Sequence, residues 1–122
     1  MDFLYQYKVL EVAKVVDGDT VDLVIDLGFK IRREIRIRLA FINTPEIRGK
    51  ERPEGLKSKA FVEEWLATHK NLCVVTYKDK TGKYGRYIGK IVCVLDGEPL
   101  HQGIVLNFEL VRLGLAESVD YG

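Results

Sequence analysis

The stretch Arg38 to Glu46 reads RLAFINTPE: an apolar run stops at Asn43, Thr44, Pro45 and Glu46, with Arg38 at its root. Two more stretches set polar and charged groups where strands would end, DGDT at 17–20 and DKTGKYGR at 79–86. A hard divalent cation takes carboxylate, amide and carbonyl oxygens, which Asp19, Asn43 and the Thr44 carbonyl offer. A phosphodiester under attack needs fixed donors for its growing negative charge, and the planar forks of Arg38 and Arg86 match phosphate oxygens. Glu46 is a carboxylate placed to act as general base on a water. Two arginines, one base and one cation make a site for hydrolytic phosphoryl transfer. Asp17, in a DG turn, reads as a turn former rather than a ligand. His69 and His101 have no Cys or His partner at zinc spacing.

These segments can cooperate only if several strands end at one place. The first half of the chain alternates at period two up to the turn at DGDT, and TVDLVID then puts Val21, Leu23 and Ile25 on one face. A turn at Leu27 and Gly28 leads into an expected third strand over 29–42, with Ile35, Ile37 and Leu39 on one face and Arg36 and Arg38 on the other. Simple pleating sends Arg38 and Asn43 to opposite faces, so the site requires a bend between them. Pro53 opens a helix whose apolar arc is Phe61, Val62, Trp65 and Leu66. Strands follow over 72–78 and 87–96. Asn107 is the expected N-cap of a short helix through Phe108, Leu110 and Val111 that Gly114 ends. Three strands, a helix, two strands and a short helix give a mainly β, α+β fold. The expected form is a five-stranded OB-type barrel with a helix between strands three and four, built as a single domain over 1–122.

Nineteen basic and eighteen acidic residues leave a net charge of +1, which excludes a protein held to nucleic acid by bulk charge. Any polyanion must be met locally. The cluster Lys30, Arg32 and Arg33 is a solvated edge able to steer a strand of nucleic acid. Cys73 and Cys93 are isolated and read as reduced core thiols. No apolar run reaches the length of a membrane span, and MDFLYQYKVLEV alternates and carries charge, unlike a signal peptide. No protein partner is evident, and a monomer is expected.

VVDGDTVDL, RLAFINTPE, KYGR and ELVRLGLA, in this order from about Val12 to Val119, resemble the thermonuclease family of staphylococcal nuclease-like domains. The resemblance implies a calcium-dependent nuclease on an OB-type barrel that cuts single-stranded DNA or RNA to leave 3′-phosphate ends. It implies Asp19, Asn43 and the Thr44 carbonyl as the calcium site, with Arg38, Glu46 and Arg86 as catalytic residues. Lys83 and Tyr84 match positions that contact a terminal phosphate of a bound nucleotide. The departure is Asn43, where the family's best-known member has a second aspartate; a neutral oxygen there implies a weaker calcium site. The alternative implied by that departure is a weak or inactive nuclease-like module that binds nucleic acid or a protein partner. The segment EPLHQGIVLNF is longer than its family counterpart.

Overall fold

The computed structural model describes residues 3–81 and 87–119. Alternating apolar positions produce three long strands, β1 (Phe3–Asp17), β2 (Thr20–Gly28) and β3 (Ile31–Leu39), joined as antiparallel neighbours. The short β4 (Ile42–Asn43) leads to α1 (Arg52–Thr68), β5 (Leu72–Thr81) and β6 (Tyr87–Cys93). Then come β7 (Ile104–Val105), α2 (Leu106–Arg112) and β8 (Glu117–Ser118).

β1 serves two partners. Its start pairs with β5 and its remainder, from Val9 to Asp17, with β2, through register shifts between Val9 and Glu11, Val12 and Lys14, and Val15 and Asp17. Such bulges add twist and let a sheet curl. Closure comes from a parallel seam between β3 and β6, in which Ile37 pairs with Tyr87, Arg38 with Ile88 and Leu39 with Gly89. β1, β2, β3, β5 and β6 thus form the expected five-stranded barrel.

The alternation decides which side is filled. Val21, Leu23, Ile25, Ile35, Ile37 and Leu39 are buried, with Val74 and Ile91 from the far wall. α1 adds Val62, Trp65 and Leu66 to the same core, with Phe61 partly buried against it. Each such side chain contributes about 1.5–3 kcal/mol by leaving water. Cys73 and Cys93 are free thiols in successive register pairs, so they point to opposite faces of the sheet. Among the described residues, no helix is long and apolar enough to cross a membrane.

Three sequence expectations need correction. The third strand does not run from 29 to 42. It ends at Leu39, and Phe41, at φ 65°, turns the chain into β4. Nor does the hairpin turn close at Leu27 and Gly28, since Phe29 and Lys30 also take left-handed φ values of 55° and 63°. Asn107 is not the N-cap of α2: that position is Val105, without a side-chain cap, and Asn107 lies inside the helix and is fully buried.

On the outer face Asp22 sits opposite Arg36 and pairs with it through two bonds, Nε to Oδ1 at 2.7 Å and an Nη to Oδ2 at 3.0 Å. The Arg36 hydrogen bond and charge hold the Asp22 carboxyl below its ordinary value of 3.8. A depressed carboxyl stabilises the fold above its unfolded pKa, and the gain disappears as pH falls through the folded value. Arg36 is 45% exposed, so solvent screening limits the pair to about 0.5–1 kcal/mol. Asp22→Asn is therefore expected to lose that amount in urea unfolding at pH 7 and to match the parent at pH 2. Equal differences at both pH values would contradict this origin.

Candidate functional site

The site assembles at the turn between β1 and β2. Asp17 accepts the backbone N–H of Asp19 at 3.0 Å, so Asp17 forms the turn, as expected. Asp19 is buried: its Oδ1 accepts the Thr20 hydroxyl at 3.2 Å and its Oδ2 accepts the Thr44 backbone N–H at 3.1 Å. The Leu39 N–H bonds the Asp19 carbonyl at 2.8 Å, which ties the turn to the end of β3.

Arg38 lies across this turn with its side chain 12% exposed. One terminal nitrogen, Nη1, donates to the Leu39 carbonyl at 2.8 Å. The other, Nη2, donates to Asn43 Oδ1 at 3.1 Å and lies 3.4 Å from Asp19 Oδ2. The bend that pleating required is therefore present: the left-handed Phe41 returns Asn43 to the side of β3 that carries Arg38. Phe41 to Val119 closes the outer side, with Asn43 opposite Glu117 and the Val119 N–H on the Phe41 carbonyl at 2.8 Å.

Two glycines set how closely these parts approach. A Cβ on Gly18 would stand 2.8 Å from Ser58 Cβ and 2.9 Å from Thr44 Oγ1, so only glycine lets the turn seat against α1 and Thr44. A Cβ on Gly55 would lie 2.2 Å from the Glu46 carbonyl oxygen, so α1 presses directly on the segment that carries Glu46. Sequence reading missed both, as it missed Ser58, whose buried hydroxyl donates to the Leu115 carbonyl at 2.6 Å. A small residue on the inner arc of a helix was the only signal available.

Electrostatics divide the two aspartates. Burial, together with the hydrogen bond and charge of Asp19, pushes the Asp17 carboxyl up to about 6. Burial also pushes Asp19 upward, but the Asp17 hydrogen bond, the Arg38 charge and the Thr44 donors outweigh it and hold Asp19 below the usual carboxylate range. Asp19 therefore ionises first, and Asp17 keeps its proton up to about pH 6.

Asp19, Arg38, Asn43 and Thr44 are thus brought together. Glu46 follows in an exposed segment whose backbone N–H is held by the Glu51 carboxylate at 2.9 Å. Among the described residues, no hydrogen bond or ion pair joins its side chain to the cluster. Lys83, Tyr84 and Arg86 lie outside the described residues. No three His, Cys, Asp or Glu side chains gather into a metal-binding group among the described residues. The donor chemistry still fits a hard cation, since a carboxylate oxygen (Asp19 Oδ2) and an amide oxygen (Asn43 Oδ1) lie on the same side of the site, both facing Arg38 Nη2.

The five-stranded barrel gathers Asp19, Arg38 and Asn43 where β1, β3 and β4 end, and the chain has the make-up of a staphylococcal nuclease-like domain. The family model described as "Staphylococcal nuclease homologue" matches residues 36–121, and the chain belongs to that family. Protein ParB of Escherichia coli is 30% identical over 84 residues, a match covering 66% of this chain. The chain spans 40% of the length of that relative.

Proposed function

We propose that this single domain is a calcium-dependent nuclease that hydrolyses phosphodiester bonds of single-stranded DNA or RNA and leaves 3′-phosphate ends. The observation that carries the reading is Arg38 held between Asp19 and Asn43, a guanidinium fixed in place before any phosphate arrives. Asp19, Asn43 and the Thr44 carbonyl would hold calcium, which when bound supplies Lewis-acid polarisation of a phosphate oxygen. Arg38 and Arg86 grip the same phosphate and meet the charge that grows on it as water attacks. Glu46 orients that water and takes its proton. Lys83 and Tyr84 bind a neighbouring phosphate. β6 supports the assignment of Arg86, because its first residue, Tyr87, pairs with Ile37 beside Arg38.

The substrate enters from the arginine side. Behind Asn43 and Thr44 lies a cavity of about 280 Å³ whose walls include Glu51, Glu54 and Glu117, an acidic lining that repels phosphates. The test is incubation with an end-labelled single-stranded oligonucleotide, first with calcium and then with a chelator. Cleavage that requires calcium and vanishes in Glu46→Gln is expected. Binding without cleavage would favour the competing module that only holds nucleic acid or a partner.

The neutral ligand at position 43 has its own consequence. Cation affinity follows the charge count of the ligands. Asn43→Asp is expected to lower the calcium needed for half-maximal cleavage by roughly tenfold, about 1.4 kcal/mol. Calorimetric calcium binding should tighten in step. A variant needing as much calcium as the parent would remove Asn43 from the ligand set.

A further inference from the structure

The open end of the barrel carries a second set of recognition groups. A cavity of about 230 Å³ opens there, lined by Tyr5, Tyr7 and Tyr87, by Arg33 and Thr76, and floored by apolar residues such as Ile25. Tyr5 and Tyr7 stack with ring centroids 6.3 Å apart and planes within 11°. The Arg33 guanidinium carbon stands 5.9 Å from the centre of the Tyr87 ring. Beside this cavity the β2–β3 turn holds Phe29 96% exposed. Left-handed backbone at a bulky residue such as Phe29 is uncommon and costs about 1–2 kcal/mol, so the turn holds this ring in water against two penalties. Lys30, Arg32 and Arg33 flank it, all exposed, with Glu34 the acid among residues 31–36.

We infer that this end of the barrel is a stacking subsite for unpaired nucleobases of a single-stranded nucleic acid. The inference rests on the nuclease reading above and adds where the strand lies beyond the reacting phosphate. Aromatic faces accept any base, an arginine over a ring completes a π-faced slot, and basic residues around it take the phosphates. Position links slot and site. Tyr87 pairs with Ile37, and the next pair along the same seam is Ile88 with Arg38. Alternation turns Tyr87 towards the barrel end and Arg38 to the outside, so a strand whose phosphate is on Arg38 passes the rim of the slot.

The test measures binding of fluorescently labelled dT12 by anisotropy at low salt in chelator, so that nothing is cut. Tyr5→Ala and Arg33→Ala alter exposed residues, and circular dichroism and thermal unfolding check their folding. Each is expected to weaken dT12 binding by on the order of 5- to 30-fold. Tyr5→Phe, which keeps the ring and loses the hydroxyl, is expected to stay within about twofold of the parent. Cleavage of a small chromogenic phosphodiester, too short to reach the slot, is expected to be unchanged in Arg33→Ala. Undiminished dT12 affinity in both alanine variants, with the parent still cutting DNA, would overturn the subsite and leave the patch to a protein partner. A parent that neither binds dT12 nor cleaves DNA would overturn the nuclease reading and this inference with it.

Discussion

Arg38→Ala is expected to cut single-stranded DNA about two to three orders of magnitude more slowly than the parent, with a much smaller change in KM. The reason is that the guanidinium is fixed before the reaction. Nη1 is anchored on the Leu39 carbonyl, Nη2 lies between Asn43 Oδ1 and Asp19 Oδ2, and the side chain is nearly excluded from solvent. A donor held this way does not reorganise as charge develops on phosphate, and in a pocket of low dielectric its effect on the transition state is large. Arg38→Lys should not restore the rate, because a point charge cannot bridge two acceptors and still present a planar fork to phosphate.

The same variant carries a second readout. Arg38 is among the groups that hold the Asp19 carboxyl low against burial. That depressed carboxyl stabilises the fold above its unfolded pKa and ceases to do so as pH falls through its folded value. Without Arg38 the buried anion loses its partner, so the variant should be less stable than the parent at pH 7, with the difference shrinking in acid. A parent-like rate at saturating calcium would remove Arg38 from the chemistry, whatever the stability showed.

The barrel was legible because its strands alternate: Ile35, Ile37 and Leu39 face one way and are buried, while Arg36 and Arg38 face the other and are less so. Helix α1 was legible for the same reason, through Val62, Trp65 and Leu66. Positions where the backbone departs from its regular form were harder to place. A left-handed turn is usually marked by glycine or asparagine, yet here it falls on Phe29, Lys30 and Phe41. The need for a bend between Arg38 and Asn43 could be deduced; the residue that makes it could not. Gly18 and Gly55 were silent because their requirement comes from α1 pressing on distant backbone, a tertiary fact. At the site, residue types pointed to Asp19, Arg38, Asn43 and Thr44 because each is polar at a strand end. Glu46 is a different case, since its neighbours in sequence fix its backbone and leave its side chain in the exposed segment.

Asn107 shows how far local chemistry can mislead, and it carries the largest stability effect expected in the molecule. An asparagine just before Phe108 and Leu110 has the composition of a cap, but this side chain points into the protein and joins three segments. Its Nδ2 donates to the Ala40 carbonyl at 3.0 Å and to the Gly89 carbonyl at 3.1 Å, and its Oδ1 accepts the Ile91 N–H at 3.3 Å. Gly89 and Ile91 lie on β6 and Ala40 opens the bend towards Asn43, so α2 fixes the β3–β6 seam from outside. Asn107→Leu nearly preserves volume but leaves the Ile91 N–H and the Ala40 carbonyl buried without this partner; the Gly89 carbonyl keeps the Ala40 N–H at 2.8 Å. Each buried orphan costs about 1–3 kcal/mol, so a loss of roughly 2–5 kcal/mol in urea unfolding is expected. Asn107→Asp should be comparably harmful, since a carboxylate has no N–H for the Ala40 carbonyl and would be buried without a cation. Because Ala40 begins the bend that returns Asn43 to Arg38, activity measured well below the midpoint of unfolding should also fall in Asn107→Leu. Stability within about 1 kcal/mol of the parent would show that the seam between β3 and β6 holds without this side chain.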